Sequence, residues 1–277
     1  MTKLGIQMQG MDNEIALLAA GPFGKKINPP TEDPFPNTRT IIRVYMDDNA
    51  SNDLIRQGAA GGRAWADFVA PYMRPWVHAV ETWNEPSGEF LFQVAGRKQL
   101  TEATLGYLEI AHARGWRSVV GNFSVGQPPL DAWHTFLPFI QVMQPGDLLG
   151  VHEYGWPTML KDTESRDGIL EGWLCLRYRK AIRILSDLGY CPQIFIGECG
   201  LDRLLVNPIP GGWQEMPHPG NLEERRQEYW NQLCWYDDRL AEDEQVVGAV
   251  PFTAAPSSPW DTYIIDKQLA TWMHDRP

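Results

Sequence analysis

Val77-His78-Ala79-Val80-Glu81-Thr82-Trp83-Asn84-Glu85-Pro86 is the stretch that decides the fold. It opens as an apolar strand over 77–82 and stops in polar and aromatic residues before a proline. A helical pattern from about 101 to 114 follows and ends at Gly115, a residue suited to the left-handed turn that closes a helix. The next strand, Arg117-Ser118-Val119-Val120-Gly121-Asn122, comes directly after. Working outward, the same unit recurs. Upstream lie a strand over 4–8, a short helix over 12–20 capped by Asp12 or Asn13, and a weak strand over 24–28. A Pro-rich loop over 29–36, a β-branched strand over 40–46 and a helix over 59–72 complete that half. Downstream lie a helix over 131–143, a strand over 147–152, a helix over 169–188 and a buried strand over 193–198. A helix over 222–240, a strand over 245–253 and a helix over 263–273 finish the chain. Leu170, Trp173, Leu174, Ile182 and Leu185 give the 169–188 segment a helical period.

Eight strands, nearly every one followed by a helix, imply a parallel sheet of the α/β class. Eight such units in 277 residues fit a (β/α)8 TIM barrel, with active-site residues at the C-terminal ends of the strands. The alternative is a doubly wound open sheet, which more often carries a glycine-rich phosphate loop after its first strand. Here that strand ends Gln7-Met8-Gln9-Gly10-Met11, and Gly21-Pro22-Phe23-Gly24-Lys25 is too short for a P-loop. With no linker or composition break, residues 1–277 are expected to form a single domain.

Composition excludes several classes. The chain is 43% hydrophobic and 21% charged, as a folded soluble protein is, and its 12 Trp, 9 Tyr and 10 Phe exclude disorder. A net charge of −11 and the lack of basic runs beyond pairs such as Lys25-Lys26 argue against nucleic acid and anionic membrane as partners. No apolar window is long enough to span a bilayer. The N-terminus lacks a signal-peptide core, so a cytoplasmic setting is the default expectation. Cys175, Cys191, Cys199 and Cys234 have no Cys-x-x-Cys spacing and are expected to be reduced thiols. The six histidines, His218 among them, show no ligand spacing, so neither metal nor cofactor is expected. A monomer is expected. The tryptophans suit either core packing or stacking on sugar rings.

The fourth strand therefore ends at Glu85 and the seventh at Glu198, in Gly197-Glu198-Cys199-Gly200. On an eight-stranded ring these two carboxylates face each other across the mouth. Glycoside hydrolysis uses such a pair, one protonated and one ionised, with environments that drive their pKa values apart. Arg43, near the end of strand three, is placed to pair with a carboxylate, and Asn84 to bond a sugar hydroxyl. His152 and Tyr154 in Val151-His152-Glu153-Tyr154-Gly155-Trp156-Pro157 share strand parity and project to one side. Trp260 follows strand eight as a stacking platform, with Trp156 or Trp213 as further ones. Gln7 and Asn122 face the mouth by position only. Each residue alone has a plainer reading: a turn for Asn84-Glu85-Pro86, a rim ion pair for Arg43, core for Trp260. Five strand ends converging on one rim favour the chemical reading.

Trp83-Asn84-Glu85-Pro86, His152-Glu153-Tyr154, Gly197-Glu198-Cys199-Gly200 and a late tryptophan together resemble the clan-A retaining glycoside hydrolases. They look most like the cellulase and mannanase family, glycoside hydrolase family 5. The resemblance implies Glu85 as acid/base and Glu198 as nucleophile, acting on a β-linked oligo- or polysaccharide. It implies that Asn84 contacts the 2-hydroxyl, Tyr154 touches the nucleophile and Arg43 orients it. Trp260 would floor the −1 subsite and His152 would line it, with Trp83 part of the same motif. Cys199 departs from the pattern, where an aromatic or small residue is more familiar. Two other readings keep the barrel: a non-catalytic glycan-binding protein, and a cell-wall lytic enzyme using the same carboxylates. The long Pro- and Gly-rich loop over 201–221 is expected to wall or cover the cleft.

Overall fold

The computed structural model describes residues 1–217 and 220–277. In chain order its elements are β1 (Ile6–Met8), α1 (Asn13–Leu17), β2 (Phe23–Ile27), β3 (Arg39–Arg43), α2 (Asp48–Arg56) and α3 (Ala59–Val69). Then come β4 (Val77–Glu81), α4 (Glu89–Phe92), α5 (Val94–Ala113), β5 (Ser118–Phe123), α6 (Trp133–Val142) and β6 (Leu148–Gly155). A hairpin, β7 (Thr163–Arg166) and β8 (Ile169–Gly172), precedes α7 (Tyr178–Asp187) and β9 (Ile194–Leu201). The chain closes with α8 (Leu222–Ala241), β10 (Val246–Pro251) and α9 (Lys267–His274).

Eight parallel strands form one sheet in the order β1-β2-β3-β4-β5-β6-β9-β10. Backbone bonds from Gly5 N–H to Ala249 O (2.7 Å) and from Ala254 N–H to Gln7 O (2.7 Å) bring its two edges together. The result is the expected (β/α)8 barrel. Strand parity then stacks its interior in layers. Phe23, Ile41, Ala79, Val119, Leu148, Phe195 and Val250, one from each strand but β1, form an apolar layer. Two residues further along the same strands stand Lys25, Arg43, Glu81, Gly197 and Phe252. The apolar layer thus supports a polar one, nearer the C-terminal mouth.

One irregularity sets the site. Val151 pairs with Ile196 but His152 pairs with Glu198, so β9 carries an extra residue, Gly197, opposite β6. The same shift appears against β10, where Ala249 pairs with Ile196 and Pro251 with Cys199. A bulge reverses strand parity beyond it. Phe195 and Gly197 face the interior, and the bulge turns Glu198 inward as well. A Cβ on Gly197 would sit 3.0 Å from Glu81 Oε1 and 3.2 Å from His152 Nε2, so a larger residue would displace the polar layer.

Two sequence expectations are corrected and one helix is added. The 169–188 helix is a β-hairpin followed by the shorter α7. Asp167 and Gly168 both have positive φ, 53° and 82°, the two-residue turn that Asp-Gly favours, so the turn overrides the apolar spacing of 170–174. Residues 48–56 form α2, with the Asp47 side chain accepting from Asn49 N–H and Ala50 N–H. The last helix starts at Lys267, because 261–263 form only a single 3₁₀ turn. Among the described residues no helix is long and apolar enough to cross a membrane.

Candidate active site

The C-terminal mouth holds a cleft of about 610 Å³. Arg43 from β3, Asn84 and Glu85 after β4, Tyr154 from β6 and Glu198 from β9 meet at its floor. Phe252, Trp260 and Tyr263 follow β10 on one wall, with Tyr45 and Asp48 on another and Asp202 and Leu204 on a third. Of the 201–221 loop, Asp202 and Leu204 therefore do line the cleft, while His218 and Pro219 lie outside the described residues.

Glu198 is nearly buried, its side chain 9% exposed, and is held at both oxygens. Arg43 Nη1 donates to Oε1 at 2.7 Å and Gln7 Nε2 approaches the same oxygen at 3.4 Å. Lys25 Nζ lies 3.6 Å from it. The Tyr154 hydroxyl donates to Oε2 at 2.8 Å. Burial pushes this carboxyl up, but the charges of His152, Arg43 and Lys25 and the Tyr154 hydrogen bond overcome it and hold the group well below the usual carboxylate range. Glu198 is thus fixed as a carboxylate.

Glu85 is built differently. It follows the end of β4 in a left-handed conformation, φ 44°, which is uncommon for a residue with a side chain and gathers at functional sites. Its N–H bonds the carbonyl of Asn122 at 3.1 Å, and Asn122 is itself left-handed, φ 42°. The Glu85 side chain is 34% exposed, so it meets solvent where Glu198 does not. His152 Nδ1 lies 2.7 Å from Glu85 Oε1 and 3.7 Å from Glu198 Oε2, linking the carboxylates. One atom each of Glu85, His152 and Glu198 lies within 4.8 Å of the other two. That spacing would suit a cation, but the Glu198 oxygens are already engaged by Arg43 and Tyr154, and a divalent ion would meet Arg43 and Lys25 beside it. The donor set does not fit a resident metal.

Asn84 also belongs to the floor, its Oδ1 accepting from Arg43 Nη1. Trp260 packs edge-on against Phe252 (5.5 Å between centroids) and Tyr263 (5.4 Å), so the wall is a three-ring cluster.

Four expected residues lie elsewhere. Trp83 is fully buried, its ring 4.9 Å from that of Trp65 and its Nε1 donating to Thr104 at 3.4 Å. Next to Asn84 on an extended segment, it points away from the cleft into the layer between barrel and helices. Asn122 is buried with Nδ2 on Val119 O, and it supports Glu85 through its backbone rather than touching the cleft. Trp156 is in the core. Trp213 is 1% exposed and stacks on Tyr229 at 5.8 Å with rings 5° from parallel. Conversely, Lys25, Phe252 and Asp202 were not expected at the site. Parity along 23–27 and 248–252 was the available signal for the first two. Asp202, whose Oδ1 accepts from the Tyr263 hydroxyl at 2.6 Å, had none.

Fold and floor together define a (β/α)8 barrel with a carboxylate pair at its mouth, and solved structures of that fold resemble it at low identity. An endo-β-1,3-glucanase of glycoside hydrolase family 128, subgroup II, from Sorangium cellulosum matches with TM-score 0.55 and 15% identity over 99% of this chain and 98% of that one. A family 5 glycoside hydrolase from Prevotella bryantii B14 matches with TM-score 0.55 and 11% identity over 99% and 96%. A β-1,3-glucanase and pollen allergen of Cryptomeria japonica matches with TM-score 0.54 and 12% identity over 91% and 89%. The similar structures are TIM-barrel glycoside hydrolases, and family 5 is one of several among them. The sequence matches no protein-family model and no curated protein.

Proposed function

We propose that the protein hydrolyses a β-linked glycan with retention of configuration, Glu198 acting as nucleophile and Glu85 as acid/base. The carrying observation is the spacing: one oxygen each of Glu85 and Glu198 lies within 4.8 Å of the other. Retaining glycosidases hold their carboxyl groups about 5–5.5 Å apart, whereas inverting ones leave about 6.5–9.5 Å for a water. Three donors or cations crowd Oε1 of Glu198, and Oε2, which accepts from the Tyr154 hydroxyl on the His152 side, attacks the anomeric carbon. As that C–O bond forms, the bond to the leaving oxygen breaks and Glu85 delivers its proton there. Glu85, now a carboxylate, takes a proton from water, whose oxygen displaces Glu198 and releases the sugar. His152, bonded to Glu85, holds its carboxyl for both transfers. Residues 1–277 act as one catalytic domain.

The cleft walls carry Asp48, Glu85, Glu198 and Asp202 against Arg43, a field that favours neutral over polyanionic glycans. Two of the three similar structures described above are named β-1,3-glucanases, so a β-1,3-glucan is the first substrate to assay. Wild type should release reducing ends from it, with the β-anomer formed first by NMR. Glu198→Ala should lose turnover and recover part of it with azide, while Glu85→Ala should fall roughly 10²- to 10⁴-fold. Initial release of the α-anomer, or azide rescue of Glu85→Ala with an inverted product, would overturn the assignment.

A further inference from the structure

Below the floor, Lys25 and Glu81 form a fully buried ion pair, Nζ to Oε1 2.9 Å. Neither reaches the cleft, so substrate touches neither. Lys25 Nζ has three oxygens around it: Glu81 Oε1, the Gly197 carbonyl at 2.8 Å and Glu198 Oε1 at 3.6 Å. An ammonium offers three donors and no acceptor, and this setting suits one. The Gly197 carbonyl belongs to the bulge residue that turns Glu198 inward, so Lys25 grips both the bulge and the carboxylate.

We infer that Lys25, held by Glu81, is a positioning residue that speeds release of the sugar from Glu198 rather than its capture. The inference rests on the proposed double displacement. Glu198 is charged before attack, neutral as the glycosyl ester and charged again after water displaces it. A fixed cation behind it stabilises the charged form. It therefore opposes formation of the ester and favours its hydrolysis. Around Glu198, Arg43 from β3 and Gln7 from β1 face Oε1, His152 and Tyr154 from β6 lie at Oε2, and Glu81, Asn84 and Glu85 from β4 and its end stand close by, with Asp202 beyond. Lys25 is sealed from the cleft that Arg43 lines, so its charge remains unscreened when substrate enters or leaves. Glu81 keeps it from standing alone during the ester stage, when Glu198 no longer balances it.

The opposite signs supply the test. Lys25→Met alone would leave Glu81 buried without a partner, so the comparison is Glu81→Gln against Lys25→Met/Glu81→Gln. Each protein is treated with a 2-fluoro β-glucoside bearing an activated aryl leaving group. Intact mass follows gain of the adduct, and activity after probe removal follows its loss. Removing Lys25 should leave the rate of adduct formation equal or faster, and slow its loss roughly threefold to tenfold, the latter being the effect of about one pKa unit. A merely structural role would slow both steps together, and that result, or unchanged loss of the adduct, overturns the inference. Failure of wild type to form any adduct on Glu198 would instead overturn the double displacement, and the inference with it.

Discussion

Glu153 gives the sharpest test of how this barrel is held together. It lies between His152 and Tyr154 on β6, and parity sends it outward, into the layer between barrel and helices. There it is 1% exposed and accepts from Leu176 N–H (2.6 Å), Tyr178 N–H (2.8 Å) and the Tyr236 hydroxyl (2.6 Å). Burial pushes its carboxyl up from 4.5 to about 7, against the pull of these hydrogen bonds. The gap of about 2.5 pH units, at about 1.4 kcal/mol per unit, is ~3 kcal/mol of pH-dependent stability. Between the two values the folded protein holds a proton that the unfolded chain has lost. Stability from this group is therefore fully present below about pH 4.5 and is lost as pH rises through about 7. Glu153→Gln removes the titration and keeps the shape. Urea unfolding of both proteins across this range should show wild type losing ~3 kcal/mol relative to the variant as pH rises. A difference that stays constant from about pH 5 to 8 would refute the reasoning. Glu153→Leu adds a second check: it strands two N–H groups and a hydroxyl, each costing about 1–3 kcal/mol, a large share of a domain's stability.

Three further outcomes follow from the same geometry. Trp83→Phe should cost about 1–3 kcal/mol of stability by leaving space against Trp65, with kcat/KM changed less than about threefold, since the ring does not meet the cleft. Trp260→Ala should do the reverse, raising KM about tenfold for an oligosaccharide while Tm moves little, because a partly exposed wall residue is lost. Gly200→Ala should destabilise by about 2 kcal/mol or more: φ is +136° and the new Cβ would lie 2.6 Å from the Tyr229 hydroxyl. Calorimetry would check the first and last, and steady-state kinetics the first two.

Much of the site was legible in the chain order alone. An apolar strand that stops at Asn84-Glu85, another that stops at Glu198, and alternation through His152 and Tyr154 are local patterns. They placed both carboxylates, Arg43, Asn84, Tyr154 and Trp260 on the rim. What misled was also local. Aromatic type does not reveal which way a ring turns, so Trp83, Trp156 and Trp213 read equally as platform or core, and packing put all three in the core. Asn122 lies one residue before the end of its strand at Phe123, and its left-handed backbone buries the side chain and gives Glu85 a carbonyl instead.

The sequence by itself determined the barrel, because strand–helix alternation and strand period are properties of neighbouring residues, and it determined which carboxylates end the strands. The tertiary structure alone decided how they act together. Simple parity from the buried Phe195 would turn Glu198 away from the cleft. Only the pairing of β9 with β6 and β10 inserts Gly197 as a bulge and brings Glu198 round to Arg43, Lys25 and Tyr154. Register is a relation between strands far apart in the chain, and so is the charge around Glu198, which four strands and the residues beyond them supply.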